Sequence, residues 1–207
     1  MQVITKLSPL VIILTSVIIS SCGSGSATGP TSNAAVTRKN MQPDSTIGWM
    51  YYSLEGDSVV PADQANTNAW DIRFAYLLCC GQTRQIDVFF NSGAAGPGTT
   101  KATMFGTRFD NLASVPGGVT YREDDTTMSG RIVPANVVGG DIMFVYDVNT
   151  HTISPSPDKV LLVQTSKGNI FKFQFTSIYK DADPTPDVFT PLGFYHFRYQ
   201  RAVNGAW

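Results

Sequence analysis

Between Ile47 and Trp207 no apolar pattern of helical period runs for more than about one turn. The chain is instead cut into short apolar stretches by 18 glycines and 12 prolines, a spacing that suits strands joined by turns and leaves no room for a helical bundle. Trp70-Asp71-Ile72-Arg73-Phe74 alternates apolar and charged side chains, the period of a half-buried strand. Ile86, Val88 and Phe90 alternate with Gln85, Asp87 and Phe89. Residues 47–54 form an aromatic strand candidate closed by the turn Glu55-Gly56-Asp57, and residues 141–147 form another. The clearest hairpin runs from Val160-Leu161-Leu162-Val163 through Ser166-Lys167-Gly168-Asn169 into residues 170–178. In its returning strand Phe171, Phe173 and Phe175 share one face and Lys172, Gln174 and Thr176 the other. The closing strand, 194–199, places Tyr195, Phe197 and Tyr199 on one side, with Phe194, His196 and Arg198 opposite. Helical pattern is confined to a turn near residues 61–68. The expected fold is all-β, an antiparallel sandwich or barrel-like stack.

Hydrophobic residues are 43% of the chain, enough for a core, while charged residues are only 15%. Fifteen basic side chains face 16 acidic ones, so no basic field exists to hold nucleic acid and no polybasic patch to hold an anionic membrane surface.

The N-terminus has the layout of an export signal. Lys6 gives the positive region, residues 10–19 the apolar one, and Ile19-Ser20-Ser21-Cys22 ends it. A Cys at the cleavage point resembles a bacterial lipobox, which implies removal of residues 1–21 and a thioether-linked lipid with palmitate-type chains on Cys22. Several acyl chains anchor stably where one is marginal. The apolar run is shorter than the ~18–20 residues that span a bilayer, and Pro9 and hydroxyl residues interrupt it. The expected organisation is a signal peptide at 1–21, lipidated Cys22 with a flexible linker at 22–45, and one β domain at 46–207. Gly23 stands where an Asp would retain a lipoprotein at the inner membrane, so an outer-membrane lipoprotein of the cell envelope is expected, on a side left undetermined. Cys79 and Cys80 are adjacent: they are either a strained, labile disulfide or two small buried hydrophobes near a strand end.

Catalytic patterns are missing. The loop Asn91-Ser92-Gly93-Ala94-Ala95-Gly96-Pro97-Gly98 continues into Thr99-Thr100, without the Lys-Ser/Thr of a phosphate loop. No Gly-x-Ser-x-Gly elbow occurs, and His151 and His196 are the only histidines. Asp124-Asp125 and Asp181, Asp183 and Asp187 lie in stretches that read as exposed loops, and no EF-hand spacing surrounds them. No enzymatic activity is expected, and a thiolate zinc site is not supported.

Several segments together resemble one family. Trp70-Asp71-Ile72-Arg73-Phe74 followed by Asn91-Ser92-Gly93 and the Gly-rich loop is similar to the signature of the HmuY family of Bacteroidetes lipoproteins. In the same order, Tyr51-Tyr52-Ser53 resembles the family's opening strand and Val115-Pro116 its middle segment. Ser166 to Asn169 with Lys172-Phe173-Gln174-Phe175-Thr176-Ser177-Ile178-Tyr179 resembles its hairpin, and Phe194-Tyr195-His196-Phe197-Arg198-Tyr199 its closing strand. The stretch between Phe74 and Asn91 is longer than the family pattern and carries the Cys pair.

The resemblance implies an all-β domain that captures haem without chemistry and passes it to an outer-membrane haem transporter. Founding members grip the iron with two axial His or two axial Met. Here His151 is the histidine that aligns, with Met128 and Met143 as candidate partners. His196 is expected to be a hydrogen-bonded structural residue, Trp70 a core indole, and Asp71 a carboxylate accepting from a turn. The alternative is a structural or interaction lipoprotein on the same fold that binds no haem.

Overall fold

The computed structural model describes residues 34–77, 86–135, 137–138 and 142–207. Among them are eleven strands, three single-turn 3-10 helices and no α-helix. In chain order the strands are β1 Val36–Met41, β2 Trp49–Ser53, β3 Ser58–Val60, β4 Ile72–Ala75, β5 Val88–Phe90 and β6 Lys101–Phe105. They continue as β7 Phe144–Asp147, β8 Thr152–Pro155, β9 Val160–Gln164, β10 Ile170–Tyr179 and β11 Leu192–Arg201. A five-stranded sheet has the order β1-β11-β10-β9-β6, a four-stranded sheet β3-β2-β4-β5, and β7-β8 form a separate ribbon. Every pairing is antiparallel, so the expected all-β fold is what the chain adopts.

The two large sheets meet across aromatic faces that follow from the alternation. Tyr52, Ile72, Phe74, Val88 and Phe90 come from the four-stranded sheet, and Phe171, Phe173, Tyr195, Phe197 and Tyr199 from the other, all in one buried cluster. Phe74 is the centre of the contact: its ring lies 5.0 Å from Tyr195, 5.5 Å from Phe197 and 5.9 Å from Phe175. Such ring pairs add specific orientation to the area they bury.

The outer face of the five-stranded sheet is also covered. Phe109, Leu112, Val160 and Leu162 form a second cluster over it. This explains why Val160-Leu161-Leu162-Val163 is apolar at every position. Lys172 is buried there as well, and its Nζ donates to the Phe109 and Leu112 carbonyls at 3.0 and 2.9 Å.

One boundary differs from expectation. Residues 36–41 lie inside the stretch expected to be flexible linker, yet they form β1 along the edge of β11, with Val36 opposite Tyr199 and Met41 opposite Tyr195. Main-chain pairing to an open strand edge holds them, not an apolar pattern. Arg38 strengthens the docking by pairing with Asp57, which also accepts the Tyr52 hydroxyl at 2.6 Å and the Tyr199 hydroxyl. Burial, helped by that carboxylate, pushes the Tyr52 phenol up to about 12. The lipidation site Cys22, the signal segment, and Cys79 and Cys80 lie outside the described residues.

Candidate functional site

The ribbon β7–β8 carries the one histidine singled out as a ligand. Its strands pair from Phe144 opposite Pro155 to Asp147 opposite Thr152. Phe144 and Ile153 are buried in the main core and hold the ribbon to the domain. At the tip, Asp147 Oδ1 accepts the Asn149 N–H at 2.8 Å, a turn bond that also holds the Asp147 carboxyl below its usual range. His151 then adopts the left-handed backbone region at φ 53°. That conformation costs a non-glycine residue something.

His151 is exposed, and its Nδ1 lies 2.6 Å from the Tyr146 hydroxyl. When the Tyr146 hydroxyl donates, Nδ1 accepts and Nε2 carries the proton; when Nδ1–H donates to that oxygen, Nε2 keeps its lone pair. The second is the tautomer in which an imidazole binds a metal while its other nitrogen is fixed by a neighbour. Apolar surface lies on the same ribbon: Val145 is 42% exposed and Val148 67%. Tyr146 N–H also donates to the Val137 carbonyl at 2.8 Å, which brings the 71%-exposed Val138 alongside. Strand alternation puts Val145 on the ribbon face opposite Tyr146, whose hydroxyl holds the His151 ring.

The two candidate methionines are placed differently. Met143 is fully buried in the main core at the base of the ribbon, where its carbonyl accepts the Ser156 N–H at 2.8 Å. Four residues of extended strand separate it from the tip, roughly 13 Å. Met128 is 49% exposed in the loop that follows Asp124. Of the three, His151 and Met128 are exposed and Met143 is buried.

Other polar residues serve the fold, as expected for three of them. Trp70 is 1% exposed and its indole N–H donates to the Ala65 carbonyl at 2.9 Å. Asp71 accepts the Leu54 N–H at 2.8 Å, closing the turn after β2. His196 is 1% exposed with Nε2 2.9 Å from the Tyr179 carbonyl, and burial lowers its pKa. Asp124, in contrast, is not on an exposed loop. It is 2% exposed and accepts backbone N–H groups from Phe90, Ile132 and Asp125 at 2.8 to 2.9 Å. Nothing in the pair Asp124-Asp125 marks which carboxylate turns inward.

Among the described residues no group of three or more His, Cys, Asp or Glu is placed to hold a metal ion, and no helix is long and apolar enough to cross a membrane.

A profile of the HmuY protein family matches residues 45–190. No curated protein matches the chain. Among solved structures, apo PinO from Porphyromonas gingivitis aligns with a TM-score of 0.50 at 14% identity, over 84% of this chain and 100% of that one. An apo HmuY analogue from Tannerella forsythia aligns at 0.47 and 14%, over 83% and 98%. A candidate HmuY-like haem-binding protein from Bacteroides vulgatus aligns at 0.46 and 15%, over 80% and 90%. With a profile covering well over half its length, the chain belongs to the HmuY family.

Proposed function

We propose that this chain is a lipid-anchored envelope protein that captures haem without catalysis, with His151 as an axial ligand at the β7–β8 tip. The observation that carries the reading is the exposed His151 ring fixed through Nδ1 by Tyr146 at the tip of the ribbon. Haem, once bound, supplies an iron whose axial position accepts an imidazole or thioether. His151 would donate Nε2 and Tyr146 would orient the ring. Met128 is the accessible candidate for the second axial position. The lipid on Cys22 would tie the protein to the outer membrane, and an outer-membrane transporter would receive the cargo.

Titrating haem into the full chain tests this. Saturable one-to-one binding with a sharp Soret band supports it, and a flat titration overturns it. The second reading, an interaction module on the same fold that binds no haem, is favoured by His151's place in a turn that the Tyr146 bond alone would stabilise. A flat titration is its expected result.

A further inference from the structure

The outer face of the four-stranded sheet carries Arg73, which has no carboxylate partner among the described residues; beside it the Arg131 guanidinium, paired with Asp87, stands 4.8 Å from the Phe89 ring. Tyr51, Arg73 and Phe89 stand in register across β2, β4 and β5, on the face opposite the main core. Trp49 lies on the same face two residues from Tyr51, its ring 5.8 Å from that of Phe89. The Arg73 guanidinium carbon sits 4.4 Å from the Trp49 ring, 5.1 Å from Phe89 and 5.7 Å from Trp70. Three rings therefore fix its plane and strip part of its water.

Arg38, Arg131 and Arg198 each pair with an aspartate. Arg73 pairs with none among the described residues, and its buried Nε has no hydrogen-bond partner. A guanidinium held this way is a fork ready for a bidentate oxyanion.

Next to it lies an open groove of about 400 Å³, lined by Met41, Ile47, Trp49, Tyr51, Val59 and Val60. Trp49 and Tyr51 belong to both features. The volume falls in the range of small-molecule sites. Asn40, Gln42 and Asp44 also line the groove, and Asp44 would repel an anionic head; Arg73 lies outside the lining, across Trp49, and is the cation an anionic head would reach there.

We propose that this face binds a monocarboxylate with an apolar body, the carboxylate on Arg73 and the body in the groove against Trp49 and Tyr51. The site uses neither His151 nor the ribbon that carries it, so it stands or falls apart from haem capture.

The test is tryptophan fluorescence of the full chain in lipid nanodiscs, titrated with 4-phenylbutyrate, with its neutral amide, and with inorganic phosphate. The expected result is saturable binding of the acid, at least tenfold tighter than the amide. That preference should vanish in Arg73→Met, which keeps the apolar stem, and survive in part in Arg73→Lys. Phosphate should not displace the acid at equal concentration. Equal binding of acid and amide by the wild type overturns the proposal, as does no binding, a preference that persists in Arg73→Met, or displacement by phosphate alone. The acid-to-amide comparison on the wild type decides the matter even if a variant fails to fold.

Discussion

Asp71 holds the Leu54 backbone N–H at 2.8 Å, and through that bond it ties the start of β4 to the turn that ends β2. The same oxygen reaches the Glu55 N–H at 3.4 Å, and the other lies 3.3 Å from the Thr100 hydroxyl. Replacing Asp71 with Ala leaves buried donors unmatched and should cost about 3 kcal/mol. Asp71→Asn keeps an acceptor for Leu54 and should cost less than half as much. Urea unfolding of both variants at pH 7 measures the difference.

Asp71 should also shape the pH dependence. Burial pushes its carboxyl up to about 6, against the lowering effect of the Leu54 and Glu55 N–H groups. A folded-state value above the ordinary ~3.9 means the native form holds the proton more tightly, so the contribution is complete below about pH 4 and lost as pH rises through 6. Between pH 7 and pH 4, wild type should therefore gain roughly 2–3 kcal/mol relative to Asp71→Asn. Equal slopes for the two proteins would contradict this.

The Gly-rich loop is glycine for reasons of space. A Cβ on Gly98 would lie 2.6 Å from the Asn91 carbonyl oxygen, and one on Gly96 would lie 2.8 Å from Cζ2 of Trp70. Asn91 in turn donates to the Thr67 and Trp70 carbonyls, each at 2.9 Å, so it cannot move aside cheaply. Gly98→Ala should destabilise the domain by about 2 kcal/mol. A thermal melt reads it, and an unchanged midpoint would contradict the steric account.

Lys172→Met removes the donor to the Phe109 and Leu112 carbonyls while keeping most of the buried stem. It should lower stability by about 2 kcal/mol and act on the segment that covers the outer face of the five-stranded sheet. Faster amide exchange around Phe109 and Leu112 than around Phe74 is the expected signature.

Much of this architecture is legible from alternation. Phe171, Phe173 and Phe175 do share a face, as do Tyr195, Phe197 and Tyr199, because strand geometry alone dictates it. The roles of Trp70, Asp71 and His196 also follow the expectation. What escapes is held by backbone and by distant partners. β1 has only Val36 and Met41 as apolar side chains, β3 is three residues long, and β6 and β8 each bury a single side chain. Asp124 looks like its neighbour Asp125 until the chain folds around it. At the candidate site, His151 was visible only through the family resemblance. Its tie to Tyr146 depends on the turn at the ribbon tip, which no periodicity encodes.

That tie has a consequence for affinity. Tyr146→Phe leaves His151 in place but removes the partner of Nδ1, so haem affinity should fall about tenfold while the position of the Soret band is kept. A displaced band would mean that Tyr146 itself is on the iron.

The central claim is that His151 binds haem iron, and the most direct measurement is the Soret spectrum across a haem titration of the full chain, wild type beside His151→Ala. The account predicts a saturable one-to-one complex in the wild type and a band that is weakened and displaced in the variant. A complex of unchanged spectrum and affinity in His151→Ala would contradict it, and so would the absence of binding in both proteins.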